Sequence, residues 1–381
     1  MKGRMIALIV FALLPLGVAI VFVRAQQTRN STRVSVNDGN YEWVMNHRDD
    51  GRELRIRIKG KPEFTDDYSD IKTLPPRGSA RVEETRGSVS RRWEVESDAD
   101  GNLRRSYTVQ GKSHEFDGEA RQWLSGLLLE AVRQSDFDAE RRVARLYQKG
   151  GANAVFEEVS LIKGDYAKGV YLRELMKSHE LDSVSAERVV AQAAREMKSD
   201  YEKKQVLSLV AEKYLDDQKV LTAFVAATLK MGSDYERGET IAAALKRGAL
   251  TTSQLNGLLQ SVAGISSDYE KAQALIRIAG KYPAEIHAAP AFFDAVDGVK
   301  SDYEKARVLL TLLGAKPNNE TLNLTLKSAA GISSDYEKAR VLMQVAALGK
   351  DDESVRKALV EAARNINSEY ERGRVLSAAF K

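Results

Sequence analysis

The chain has 381 residues, 43% hydrophobic and 29% charged, with 58 basic side chains against 54 acidic ones and a formal net charge of +4. That suits a globular protein of two or three units, and so even a balance gives no ground for nucleic-acid binding. With no Cys in the sequence, disulfides, thiolate metal sites, Cys nucleophiles and a lipid-modified Cys anchor are excluded.

Residues 1–27 read as an export segment. Lys2 and Arg4 precede an apolar run over residues 5–23 that contains Pro15 and Gly17. Val23-Arg24-Ala25 suits a signal peptidase. The run is also just long enough to span a bilayer. A cleaved signal peptide and a retained transmembrane anchor both follow from these residues. In either case the positive end stays in the cytoplasm and the remainder crosses the membrane. The expected location is the inner membrane facing the periplasm, or the periplasm itself after cleavage.

Residues 28–40 are polar and read as a linker. Residues 41–116 change to a two-residue period. Leu54, Ile56 and Ile58 alternate with Arg55, Arg57 and Lys59, and Trp93 and Val95 alternate with Arg92, Glu94 and Glu96. Turn chemistry separates these runs, as at Pro75-Pro76-Arg77-Gly78, Arg86-Gly87 and Asp98-Ala99-Asp100-Gly101. The pattern predicts an antiparallel meander of about six to eight strands. A basic strand face of Arg55, Arg57, Lys59, Arg91, Arg92, Arg104 and Arg105 suits either an anionic ligand or solvent. Solvent is favoured, with Glu53, Glu83, Glu84, Glu94 and Glu96 as cross-strand partners. Asp66, Asp67 and Asp70 lack the spacing and Gly of a calcium loop and read as an acidic loop without metal.

Residues 117–150 predict two helices, over 119–133 and 138–148. They are a connector, or a degenerate first repeat; the sequence leaves both open. Residues 151–381 are repetitive. Asp165, Asp200, Asp234, Asp268, Asp302, Asp335 and Glu369 each precede a Tyr, at steps of 35, 34, 34, 34, 33 and 34 residues. Such a step means stacked helical hairpins. Six copies continue as Ser-x-Tyr-Glu: Ser199, Tyr201, Glu202; Ser233, Tyr235, Glu236; Ser267, Tyr269, Glu270; Ser301, Tyr303, Glu304; Ser334, Tyr336, Glu337; and Ser368, Tyr370, Glu371.

This is capping-box spacing, in which Ser accepts from the N–H three residues on and Glu reaches back to the Ser N–H. Asp at the first helical position suits the helix dipole. Gly238, Ala272, Ala306, Ala339 and Gly373 mark a close approach to a neighbouring helix, with Lys204 as the exception. The repeated Tyr column, which Tyr166 begins, is expected to pack between hairpins. On that expectation Tyr303→Ala costs about 3–5 kcal/mol. Gly164-Asp165-Tyr166-Ala167 lacks both capping partners, as suits a terminal repeat. A second helix completes each unit, over residues 186–197, 220–229, 254–263, 291–299, 322–330 and 355–366.

The expected fold is therefore mainly α: a tetratricopeptide- or HEAT-like solenoid of about 34-residue hairpins, after a small antiparallel β domain and an N-terminal apolar helix. The Trp, Leu-Gly and Pro pattern of tetratricopeptide repeats is missing.

Chemistry is sparse. His114-Glu115 and His179-Glu180 begin like a zinc-peptidase motif, but neither has a second His four positions on. His47 and His287 have no such context. There is no phosphate-binding Gly-Lys-Ser/Thr loop, dinucleotide Gly fingerprint or Gly-x-Ser-x-Gly elbow. No catalytic, cofactor-binding or metal-ligating residue is assigned, and the chain is read as a non-enzyme.

Lys61-Pro62-Glu63-Phe64-Thr65-Asp66-Asp67, Phe116-Asp117-Gly118-Glu119-Ala120 and the Ser-Asp-Tyr-Glu-Lys/Arg repeats resemble extracytoplasmic regions of some Gram-negative bacteria, including ones attached to sensor-type membrane zinc metallopeptidases. The resemblance spans about residues 40–381. It brings no catalytic residues, because the peptidase motif is absent. The expected function is a membrane-tethered scaffold for a protein or peptide partner, with no nucleic acid. The alternative is an extracytoplasmic sensor whose β domain binds a ligand. A sensor should have a well-formed pocket in residues 40–116; a scaffold should have its better groove along the repeats.

Overall fold

The computed structural model describes residues 31–37, 40–49, 51–247, 250–286 and 289–380. The export segment, Gly248 and His287 lie outside the described residues. Among the described residues no helix is long and apolar enough to cross a membrane. The chain divides into two units between Gly126 and Leu127.

The first unit is built on strands β1 Ser31–Asn37, β2 Asn40–Asp49, β3 Arg52–Lys59, β4 Glu63–Phe64, β5 Ile71–Thr73, β6 Ser79–Arg86, β7 Val89–Ser97, β8 Leu103–Val109 and β9 Lys112–Ser113. Seven form one antiparallel sheet in the order β1-β2-β3-β6-β7-β8-β9, and β4 and β5 form a separate ribbon. Strand β1 corrects the linker expectation. Its backbone pairs with β2 from Ser31↔Asn46 to Asn37↔Asn40, a pairing that polar composition does not reveal. Gly87, at φ 58, takes the left-handed turn from β6 to β7 that a Cβ would strain.

Burial alternates along β3, β6 and the second half of β7. Leu54, Ile56 and Ile58 of β3, Val82 of β6 and Trp93 and Val95 of β7 are buried on one face. Helix α1, Gly118–Arg133, contributes Ala120 and Leu124 to the buried set, and Trp123 packs its ring 5.6 Å from Tyr107. The predicted basic face needs correction on the same ground. Consecutive residues of a strand point to opposite sides, so Arg91 cannot join Arg92, nor Arg105 join Arg104. Arg91 lies beside Glu119 and the Trp123 ring. Arg105 donates to both Asp70 carboxylate oxygens at 3.0 Å. Glu84 likewise faces inward, accepting from Arg52 at 2.7 Å and Trp123 at 2.8 Å.

The second unit is helical: α2 Ala139–Leu161, α3 Asp165–Ser178, α4 Ser183–Glu196, α5 Asp200–Tyr214, α6 Gln218–Leu229, α7 Asp234–Leu245, α8 Thr252–Ala263, α9 Asp268–Lys281, α10 Pro290–Asp297, α11 Asp302–Gly314, α12 Asn319–Ala330, α13 Asp335–Leu348, α14 Glu353–Arg364 and α15 Glu369–Ala379. Every helix that opens a repeat (the A helices, odd numbers from α3) begins at the repeated Asp or Glu. Each A helix packs on the next A helix, and each B helix, α4 to α14, packs on the next B helix. One continuous apolar core runs from Ala139 to Ala379. This is a helical-repeat architecture.

Helix α2 crosses the expected boundary at residue 150. Gly150 and Gly151 have non-helical backbone, with Gly151 at φ 62. Arg142 and Glu158 meet at 2.8 Å. In a straight helix, sixteen residues would separate them by about 24 Å. The two segments of α2 therefore fold back on each other at the glycine pair. A helical hairpin thus begins at Ala139, inside residues 117–150 and ahead of the first repeated Asp.

Candidate functional site

The repeated residues converge where one repeat meets the next. Each Ser is an N-cap whose hydroxyl accepts from the Glu N–H: Ser199 from Glu202, Ser233 from Glu236, Ser267 from Glu270, Ser301 from Glu304, Ser334 from Glu337 and Ser368 from Glu371, at 3.3–3.4 Å. The reciprocal half of the expected capping box does not form there. The Ser N–H donates instead to the Asp of the preceding repeat. Ser199 donates to Asp165 at 2.6 Å, and Ser233, Ser301, Ser334 and Ser368 donate at 2.8 Å to Asp200, Asp268, Asp302 and Asp335. Ser267 reaches Asp234 at 2.7 Å. The residue before each Ser gives the same Asp a second N–H bond, as Gly232 does to Asp200 at 2.7 Å.

A charged acceptor for two N–H groups wins over a Glu that must curl back on its own turn. The Asp column is thus a row of staples between repeats. A complete capping box forms where no such Asp competes, between Thr251 and Gln254 at the start of α8.

Five of the six displaced Glu side chains find cations. Glu304, Glu337 and Glu371 pair with Arg307, Arg340 and Arg374 at 2.7, 2.7 and 2.9 Å, Glu202 with Arg173 at 3.4 Å and Glu236 with Lys204 at 2.8 Å. The small residue after Lys or Arg makes room for this Glu. A Cβ on Gly169 would lie 3.0 Å from the Glu202 carboxylate. Lys204 replaces that clearance with a direct ion pair.

Buried cations complete the corner. Lys271 donates to the Gly298 carbonyl at 3.3 Å and Lys338 to the Asn365 carbonyl at 3.2 Å, capping α10 and α14. Arg237 does the same for Gly264 after α8. A cation suits the negative end of a helix dipole. Burial would raise the Asp200 carboxyl, but Lys203 and the N–H groups of Ser233 and Gly232 hold it below the ordinary aspartate value.

The tyrosines overturn the packing expectation. Tyr166, Tyr201, Tyr235, Tyr269, Tyr303, Tyr336 and Tyr370 are all exposed, Tyr303 at 55% and Tyr370 at 72%. The reason is angular. Position two of the A helix lies about 140° around from the centre of the buried stripe at roughly 100° per residue. Arg307, Arg340 and Arg374 lie 5.7, 5.8 and 5.7 Å from the rings of Tyr303, Tyr336 and Tyr370. Tyr303→Ala is accordingly expected to cost less than about 1 kcal/mol, as a surface change that forfeits one exposed cation–π contact. Urea denaturation checks this, and a loss near 3 kcal/mol would restore the packing role.

Positions two, six, nine and thirteen of the A helices share that outer face. Across α3, α5 and α7 it holds a groove of about 720 Å³, lined by Arg173, Lys177, Ser208, Leu209, Glu212, Ala243, Lys246 and Arg247, among others. The β sheet has a depression of about 390 Å³ on its outer face. Charges there neutralise one another: Arg92 meets Glu83 and Arg55 meets Glu53, each at 2.6 Å, and Arg81 meets Glu94. Asp70 is occupied by Arg105 and Arg121, and Asp67 by the Ser69 N–H and hydroxyl. Among the described residues no group of three or more His, Asp or Glu is placed to hold a metal ion.

No family model, curated protein or solved structure matches the chain.

Proposed function

We propose that the chain is an exported, membrane-tethered, non-enzymatic scaffold. Its hairpins stack as a tetratricopeptide- or HEAT-like solenoid, and the outer face of the A helices receives a protein or peptide partner. The observation that carries this reading is the tyrosine ladder. Seven tyrosines stand exposed at one helical position, although neither capping nor core packing requires an aromatic there. Tyrosine and arginine are enriched at protein interfaces. The groove along the repeats is also larger than the sheet depression, and the ion pairs of the latter leave little charge for a ligand.

The test is crosslinking in envelope fractions with the full chain, a Tyr201→Ala/Tyr235→Ala/Tyr269→Ala/Tyr303→Ala variant and an Arg55→Glu/Arg92→Glu variant. Specific crosslinks should vanish in the tyrosine variant and persist in the sheet variant. The opposite outcome favours a sensor that uses the sheet.

A further inference from the structure

From the groove's charge and spacing we infer that the face of α3, α5 and α7 takes an extended acidic peptide, with two carboxylates flanking an apolar residue. This rests on the scaffold reading and names the partner's chemistry. Four cations line the groove against one carboxylate, Glu212. Two of the four already hold carboxylates: Arg173 pairs with Glu202 and Arg247 with Asp216. Lys177 and Lys246 are exposed and form no ion pair among the described residues. Their charges are the ones a ligand would meet.

Their placement sets the ligand's pattern. Lys177 is the thirteenth residue of α3 counted from Asp165, and Lys246, the C-cap of α7, is thirteenth counted from Asp234. Helix α5 runs between them and carries Glu212 at the same position. Adjacent helices pack about 8–10 Å apart, so the two lysines are rooted roughly 16–20 Å from each other. An extended chain rises about 3.3 Å per residue and covers that span in about five or six residues. Glu212 repels an acidic residue at the centre of the ligand, whereas Leu209 and Ala243, both half-buried, offer it an apolar floor. Two free cations separated by a carboxylate are a poor match for a continuous phosphate backbone, which calls on many contacts for its affinity.

The test uses the full chain. The probe is a fluorescein-labelled heptapeptide with glutamate at both ends, leucine at its centre and serine elsewhere. Fluorescence anisotropy should show saturable, salt-sensitive binding. Lys177→Glu/Lys246→Glu should weaken it at least tenfold while leaving the urea midpoint unchanged. The same peptide with lysine in place of glutamate should prefer the double variant. Equal affinity for wild type and double variant overturns the proposal, as does equal saturable binding of an oligothymidylate. A random peptide library displayed on phage and panned on both proteins separates the two levels of inference. Enrichment of acidic sequences on wild type alone supports the proposal. Enrichment of neutral or basic sequences on wild type sinks the acidic partner and leaves the scaffold standing. No enrichment on either protein sinks both.

Discussion

Glu158→Ala is expected to destabilise the helical unit by about 3–5 kcal/mol, the range for a buried ion pair that loses one member. Glu158 is only 5% exposed, and it accepts from Arg133 at 2.7 and 3.0 Å and pairs with Arg142 at 2.8 Å. Arg142 is itself buried, so removal of the carboxylate leaves its charge inside the α2 hairpin. Glu158→Gln keeps an acceptor without the charge and should fall between wild type and Glu158→Ala. The pH dependence has a definite sign. Burial pushes the Glu158 carboxyl up, but Arg133 and Arg142 outweigh it and hold the group below its ordinary 4.5. A depressed carboxylate contributes stability above its unfolded value and loses it as pH falls through the folded one. The gap between wild type and Glu158→Ala in urea midpoint should therefore be full at pH 7 and shrink below about pH 4.5. A gap that stays constant down to pH 3 would contradict the assignment.

The A helices were legible because their start signal is local. Ser and the N–H three residues on belong to one turn, and all six such helices begin at the residue the spacing predicts. What lay beyond reach was longer-range competition. Nothing within one turn reveals that the Ser334 N–H belongs to Asp302. A signal was nevertheless present, since the acid precedes Tyr in every copy and a dipole preference alone does not demand it each time. Residue type alone favours a buried tyrosine, whereas the angular position of Tyr303 against Leu309 and Leu312 points it outward. Consecutive Arg91 and Arg92 could not share a strand face by the same reasoning. Gly150-Gly151 in a helical run was the visible mark of the α2 hairpin. A buried apolar column two residues before each cap, such as Ile265, Val299 and Ile332, was also readable and supports every corner from beneath.

The staple makes the other large prediction. Asp200→Ala should cost about 2–4 kcal/mol, because a charged acceptor is lost to two N–H groups and a buried cation loses its partner. Gly232 and Ser233 donate to Asp200 at 2.7 and 2.8 Å, and Lys203, 7% exposed, pairs with it at 2.9 Å. Asp200→Asn retains one acceptor oxygen and should lose about half as much. Tyr201→Ala, one residue along on the outer face, should lose less than about 1 kcal/mol. That neighbouring pair separates the staple from any general sensitivity of the helix start. Stability in a repeat array is a sum over units and their junctions, so the weakened α5–α7 junction should also open first. Hydrogen exchange should then show the Gly232 and Ser233 amides losing protection ahead of the core of α9. Because Lys203 and the two amides hold the Asp200 carboxyl below its ordinary 3.8 against the upward push of burial, the contribution is present above that pH and lost beneath it. Equal urea midpoints for Asp200→Ala and Tyr201→Ala at pH 7 would mean that the Asp staple does not hold neighbouring repeats together.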